Sequence, residues 1–579
     1  PGAVVSISEA TGDVLVNGSG LSSTSGGTPN IRLSSAASIT QSAIITAGTG
    51  GFVRLNFSNG LTQSSVITAP AGLALNGSGN AVLGQTNAVS VLSASLSGSL
   101  SLNTTTALEL GTVDGLAGVS LGANPLSLSA TGAISQSQPL ICSTLVLSST
   151  LGISLDNIAN QVTELGAVTR GGAFALVDSA GGLNVNGTIA SASAPVSIST
   201  AGGALSVNSW VLAAGGSDIT LSGVGISFGS ASVVRSATGH LYLDALTGGV
   251  SQNAASVLDC DLLTAQADLD LILSAANNTL GTVESASGVN MSIRDMNGYS
   301  VNSLTASGAV SLVSGPGDIT ITGPVSSSGG SIAINPGTSI RLNYDVGAVL
   351  ETGGYDILLQ RPVVLASDAT ITSGAGAGGI NFSAAITTTA ARVLDLTADT
   401  GSIIFGGQLG TVALPLGRLI LRDSSAVNFA SAVYAQDGVI SAAGAVDTNW
   451  SGTISFPNTD LYLDHAGRSL TMLADLSCRN LYFYRGSLSV PGRTISTGAD
   501  FAAFGSGYDP DDPEWTGADS RFSYYHGTSL AYYSAGGNYD PVTGDFDSPV
   551  NAAFTNLAGA TLQVAGSFYN NGASMNAGA

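Results

Sequence analysis

One phrase recurs three times in this chain and constrains its fold more than any other feature. Its copies are IRLSSAASITQ at Ile31–Gln41, LSLSATGAISQ at Leu126–Gln136 and LYLDALTGGVSQ at Leu241–Gln252. Each begins with two aliphatic residues spaced two apart. A step of small residues or glycine follows, then Ile or Val, a hydroxyl residue and Gln. A looser relative, LDLTADTGSIIF at Leu394–Phe405, lacks the Gln. Aliphatics two apart place one face of a strand in a core. The small residues form a bend, and a second short strand follows it. A chain that reuses one strand–corner–strand unit is built by stacking.

A length of 579 residues would by itself suggest several globular domains. Composition argues for something narrower. There are 77 glycines, charged residues are only 9%, and aromatics are 6% against 44% hydrophobic residues. Apolar residues recur at every second position and nowhere at helical spacing. A disordered Gly/Ser linker is excluded by the frequency and spacing of Val, Ile and Leu.

Other echoes set the period. Asn160 follows Gln136 by 24 residues, Asn277 follows Gln252 by 25, and each precedes a Val and Gly pair (NQVTELGAV, NNTLGTVES). GDITITG at Gly317–Gly323 repeats SDITLSG at Ser217–Gly223. A repeat of roughly 20–25 residues predicts an all-β solenoid of about 23–29 coils, stacked in parallel about 4.8 Å apart. Asn, Ser and Thr at the corners would bond their copies on the next coil. Regular repeats are expected over 1–430. A continuing, aromatic-rich solenoid is expected over 431–579, with an irregular insertion at about 501–550. Eleven of the fifteen tyrosines lie from Tyr434 onward.

The net charge is −22, all fifteen basic residues are Arg, and Lys is absent. Without a basic cluster no nucleic-acid footprint exists, and attraction to an anionic membrane surface is disfavoured. No run of eighteen apolar residues could span a bilayer. Cys142, Cys260 and Cys478 are too far apart in sequence for a metal-binding spacing and read as small buried thiols. The sequence starts and stops in mid-pattern, which suggests a piece of a longer polypeptide.

The phrases GAISQS and GGVSQN, the later NQVTELGAV and NNTLGTVES, and the closing F-x-N…LxVxG…F-x-N resemble bacterial filamentous-haemagglutinin-like exoproteins. These are large secreted adhesins, typically of the two-partner secretion type. The resemblance implies a right-handed parallel β-helix, a location on a Gram-negative cell surface, and roles in adhesion, biofilm or fibre formation. That family's N-terminal secretion domain is not recognisable here, and the resemblance carries over no catalytic residues.

Two candidate sites fall in the insertion. Trp515, Tyr508, Tyr524, Tyr525, Tyr532 and Tyr533 could stack on sugar rings or on a neighbouring subunit, or simply cover the solenoid wall. Asp509, Asp511, Asp512, Glu514, Asp540, Asp545 and Asp547 could supply oxygen ligands to Ca²⁺; the alternative is a solvated acidic loop. Asn458-Thr459-Asp460, Asp511-Asp512 and His526-Gly527 resemble pieces of a polygalacturonase signature, but their spacings do not suit adjacent coils, and that family's Arg-x-Lys is absent. The paired Asp259/Asp261 and Asp268/Asp270 read as the exposed face of a strand whose leucines point inward.

These features predict a non-enzymatic, extracellular rod with adhesin character, part of a bacterial surface or matrix fibre. Its expected partners are its own copies, neighbouring solenoid segments and glycans. The alternatives are a filament subunit polymerising end to end and a β-helical polysaccharide hydrolase or lyase.

Overall fold

The computed structural model describes residues 4–23, 30–179, 181–190, 192–504, 552–555, 560–566, 568–571 and 574–575. Among these residues there is no helix, and nearly all strands pair in parallel. The chain divides into two compact units, Pro1–Thr282 and Val283–Ala579. Each is a parallel β-solenoid, and together they carry about 22 turns.

In the first unit the register shows how the repeated phrase works. Ile31 pairs with Val53, Val53 with Leu73, and Leu73 with Leu92. Leu33, Leu55, Leu75 and Ala94 stack two positions further on. All eight are buried, so each strand adds two side chains to continuous aliphatic columns. Leu126, Leu128, Leu241 and Leu243, the aliphatics of the other two phrases, are at most 1% exposed. Each such side chain contributes about 1.5–3 kcal/mol by leaving water. The bend predicted inside the phrase separates Leu126–Ala130 from Ile134–Gln136 and Val233–Ala245 from Val250–Gln252.

One element departs from the parallel pattern. Thr112–Val113 and Leu116–Ala117 form an antiparallel hairpin. Its two central residues, Asp114 and Gly115, have φ of 49° and 78°, which suits a two-residue Asp-Gly turn. The hairpin lies across earlier turns: a Cβ on Gly72 would meet Val113 Cγ2 at 2.5 Å. The space that Gly72 leaves empty is therefore the hairpin's seat.

In much of the second unit a turn has three short strands, as in Val310–Ser314, Ile319–Ile321 and Val325–Ser327, while longer strands such as Leu461–Met472 span a corner. An aromatic column fills one corner of the core. Phe382 stacks on Phe405 and Phe405 on Phe429 at 5.5 and 5.4 Å between centroids. Trp450 and Phe456 close the column edge-on. On another wall the outward positions are also apolar and buried: Ile420, Ile440, Tyr462, Tyr482 and Ala502 follow one another turn by turn. A parallel sheet buried on both faces loses the polar half of its alternation. That accounts for the runs RLIL, LYL and LYF in this stretch.

Candidate functional site

Every residue of the two sites expected in the insertion lies outside the described residues. This holds for Trp515, Tyr508, Tyr524, Tyr525, Tyr532 and Tyr533. It holds equally for Asp509, Asp511, Asp512, Glu514, Asp540, Asp545 and Asp547. Among the described residues no group of three or more His, Cys, Asp or Glu is placed to hold a metal ion. The three cysteines are buried thiols outside any disulfide, as expected, and burial pushes the Cys142 and Cys478 thiols up to about 12.

The described carboxylates instead serve the backbone of the next turn. Asp13 Oδ1 accepts the N–H of Ser38, Asp218 that of His240, and Asp318 that of Ser339. Asp356, Asp368, Asp447 and Asp475 do the same for Gly379, Val393, Ser469 and Thr494. Each sits at a corner and reaches forward 19–25 residues. The echo between SDITLSG and GDITITG is this device: Asp218 and Asp318 hold equivalent positions. Hydroxyl donation from Thr338, followed by bonds from Ser339, keeps the Asp318 carboxyl below its ordinary range. These corner aspartates thus have a structural role, holding one turn to the next.

The paired aspartates need a correction. Asp259 and Asp261 do face outward on a strand, and Asp259 pairs with Arg235 at 2.8 Å. Asp268 and Asp270 do not lie on a strand; they occupy the corner after Ala267, with Leu269 between them 56% exposed. Asp460, from the polygalacturonase-like piece, is gripped by Arg479 (Nε–Oδ1 2.6 Å, Nη2–Oδ2 2.7 Å) and by Asn480 Nδ2 at 2.8 Å.

In two of the three copies the Gln that ends the phrase pairs with an Asn one turn on, whereas Gln41 of the first donates to the carbonyls of Ala43 and Val66. Asn160 Oδ1 accepts from Gln136 Nε2 and from the Leu140 N–H, while Asn160 Nδ2 donates to Gln136 Oε1 and to the carbonyls of Leu155 and Val177. Gln252 makes the same reciprocal pair with Asn278 at 2.6 and 2.9 Å. The sequence pointed to Asn277, one residue too early. A third clamp, Gln63 with Asn87 at 2.6 and 3.2 Å, escaped notice because its stretch, VRLNFSNGLTQ at Val53–Gln63, has Leu61 where the three phrases have Ile or Val. All three asparagines are fully buried.

What the first unit does offer to a ligand is a groove. It has a volume of about 520 Å³ and is lined chiefly by Ser34, Asn56, Asn76, Ser95 and Ser120, with a second row at Ser58, Ser78 and Ser97. The first five are consecutive rungs of one outward column: Ser34 pairs with Asn56, Asn56 with Asn76, Asn76 with Ser95, and Ser95 with Ser120. Two residues back along the same strands lie Arg32, Arg54, Ala74 and Ser93. The hairpin lies over this neighbouring column, and Ala74 and Ser93 are fully buried. Arg32 holds the hairpin through Nε–Oδ2 at 2.9 Å and Nη2–Oδ1 at 2.6 Å to Asp114, and its guanidinium also stacks over Phe52. Arg54 Nη1 donates to the Asp114 carbonyl at 2.9 Å. The Arg32 guanidinium holds the Asp114 carboxyl below its ordinary range. The hairpin thus forms a fixed shoulder beside an uncharged polar channel.

No protein-family model, no curated protein and no solved structure matches this chain.

Proposed function

We propose that this chain is a non-enzymatic segment of an extracellular bacterial surface or matrix fibre, with adhesin character. The observation that carries the reading is the pairing of a stacked parallel β-solenoid with outward columns of neutral polar side chains. Such a stack repeats one surface along several turns, which suits contact with a repeating partner. The resemblance of the Gln phrases to filamentous-haemagglutinin-like exoproteins supports the same reading. Against hydrolase chemistry stands the state of Asp460, whose two oxygens are committed to Arg479 and Asn480. A general acid or base needs a carboxylate free to exchange a proton with substrate.

The test is antibody labelling of intact and permeabilised cells of the source organism. Labelling of intact cells is the expected result. Labelling that appears only after permeabilisation would remove the extracellular fibre.

A further inference from the structure

We propose that the groove of the first unit binds an uncharged linear glycan laid across successive turns. The inference deepens the fibre reading by naming a ligand class and a site for it. It rests on four observations about the groove.

The first is chemistry. Ser34, Asn56, Asn76, Ser95 and Ser120 present only hydroxyls and carboxamides, and none of the lining residues is ionisable. Hydroxyls and amides both donate and accept, which matches the mixed donors and acceptors of a sugar. An acidic glycan would require a free cation. The nearest guanidiniums, Arg32 and Arg54, are committed to Asp114.

The second is unspent capacity. On some other outward columns of this unit polar side chains bond their own copies. Asn208 Nδ2 donates to Asn186 Oδ1 at 3.0 Å, and the Ser227 hydroxyl donates to that of Ser206 at 3.1 Å. In the groove the hydroxyls of Ser34, Ser95 and Ser120 and the amide of Asn76 make no such bond to a described residue. Asn56 uses only its carbonyl oxygen, as acceptor from Arg54 Nε at 3.2 Å. The column therefore leaves these donors and acceptors open to a ligand where the wall is concave.

The third is spacing. Neighbouring rungs are about 4.8 Å apart, so the five span about 19 Å. That step is close to the length of one sugar ring in an extended chain, so each turn meets one ring of the same strand.

The fourth is rigidity. The shoulder is pinned by the bidentate Arg32–Asp114 pair and seated on Gly72. The second row is tied by Ser97 Oγ to the Ser78 carbonyl, and Asn124 Nδ2 donates to the Ser97 carbonyl. A preformed groove loses little entropy on binding.

The experiment is calorimetric titration of the purified chain with linear β-1,4-linked hexasaccharides of glucose, mannose and xylose, and with a hexagalacturonide as the acidic comparison. At least one neutral hexasaccharide is expected to bind. Asn76→Ala and Ser95→Ala should each weaken it about tenfold or less, and together more, with melting unchanged. Arg235→Ala, on another outward column, should leave binding unaltered. The proposal fails if no neutral hexasaccharide binds, if the double variant binds as well as the parent, or if the hexagalacturonide binds best. The titration does not depend on where the chain resides. A bound glycan together with an intracellular chain would retain the groove and remove the fibre.

Discussion

At the scale of single residues, buried amides and corner carboxylates join one turn to the next. The amide clamps show this most directly. Asn160 satisfies a Gln amide, one backbone N–H and two carbonyls at a position with no access to water. Removing it strands those partners, and each buried orphan costs about 1–3 kcal/mol. Asn160→Ala should therefore destabilise the first unit by about 3 kcal/mol or more, read as a lower urea midpoint. Gln136→Ala should cost less, because Gln136 is only half-buried and water can take its place. The conspicuous Gln was legible in the sequence, but its purpose was not. A reciprocal amide pair needs two residues that are neighbours only after the chain has wound once, and 24 or 26 residues of variable corner lie between them. The corner aspartates were hidden for the same reason: their partner is a backbone N–H, which has no sequence signature.

At the scale of elements, most of the design was readable. Alternating aliphatics gave the strands, small residues gave the bends, and the buried thiols followed from their aliphatic surroundings. The hairpin was missed although its Asp-Gly pair is a strong two-residue turn signal. It sits inside GTVDGLAG, where alternation continues on both sides and reads as one more parallel corner. The residues that line the groove carry no signal at all in one dimension, since Ser34, Asn56, Asn76, Ser95 and Ser120 become a column only through register. In the second unit the aromatic column lets element-scale energetics be tested. Phe405 is stacked on both sides and fully buried, so Phe405→Ala should cost about 3–5 kcal/mol. Trp450 is buried with its indole N–H unpaired. Trp450→Phe should therefore stay within about 1.5 kcal/mol of the parent, because the lost volume is offset by removal of a stranded donor. Thermal melts of the two variants check both values.

At the scale of the whole molecule, the acidic balance governs behaviour with pH. His465 is fully buried in the second unit, with Nε2 2.9 Å from the Ser441 hydroxyl and Nδ1 unpaired. Burial pulls its pKa down to about 4, against the opposing pull of Asp423 and Asp447. The unfolded chain then binds the proton more tightly than the folded one. Stability is full above pH 6.5 and falls as pH drops from 6.5 to about 4, by about 3 kcal/mol. The depressed carboxyls of Asp114 and Asp318 act later: their contribution is present above 3.8 and is lost as pH falls through their lowered folded values. Urea midpoints followed from pH 8 to pH 3 should show two steps, and His465→Gln should abolish the upper one while leaving the lower. A single step in the parent would contradict the assignment.

The register between turns has a consequence for ancestry. Ile219 pairs with Leu241, and Val196 with Ile219. If residues 219–240 were spliced out, Asp218 would join Leu241, which would inherit the seat of Ile219 against Val196. The carboxylate of Asp218 would then meet the next loop at the place where it now meets His240. Gene duplication or slippage by one such module would alter how many copies are stacked without disturbing any seam, so lineages carrying this scaffold are free to lengthen or shorten it in whole increments.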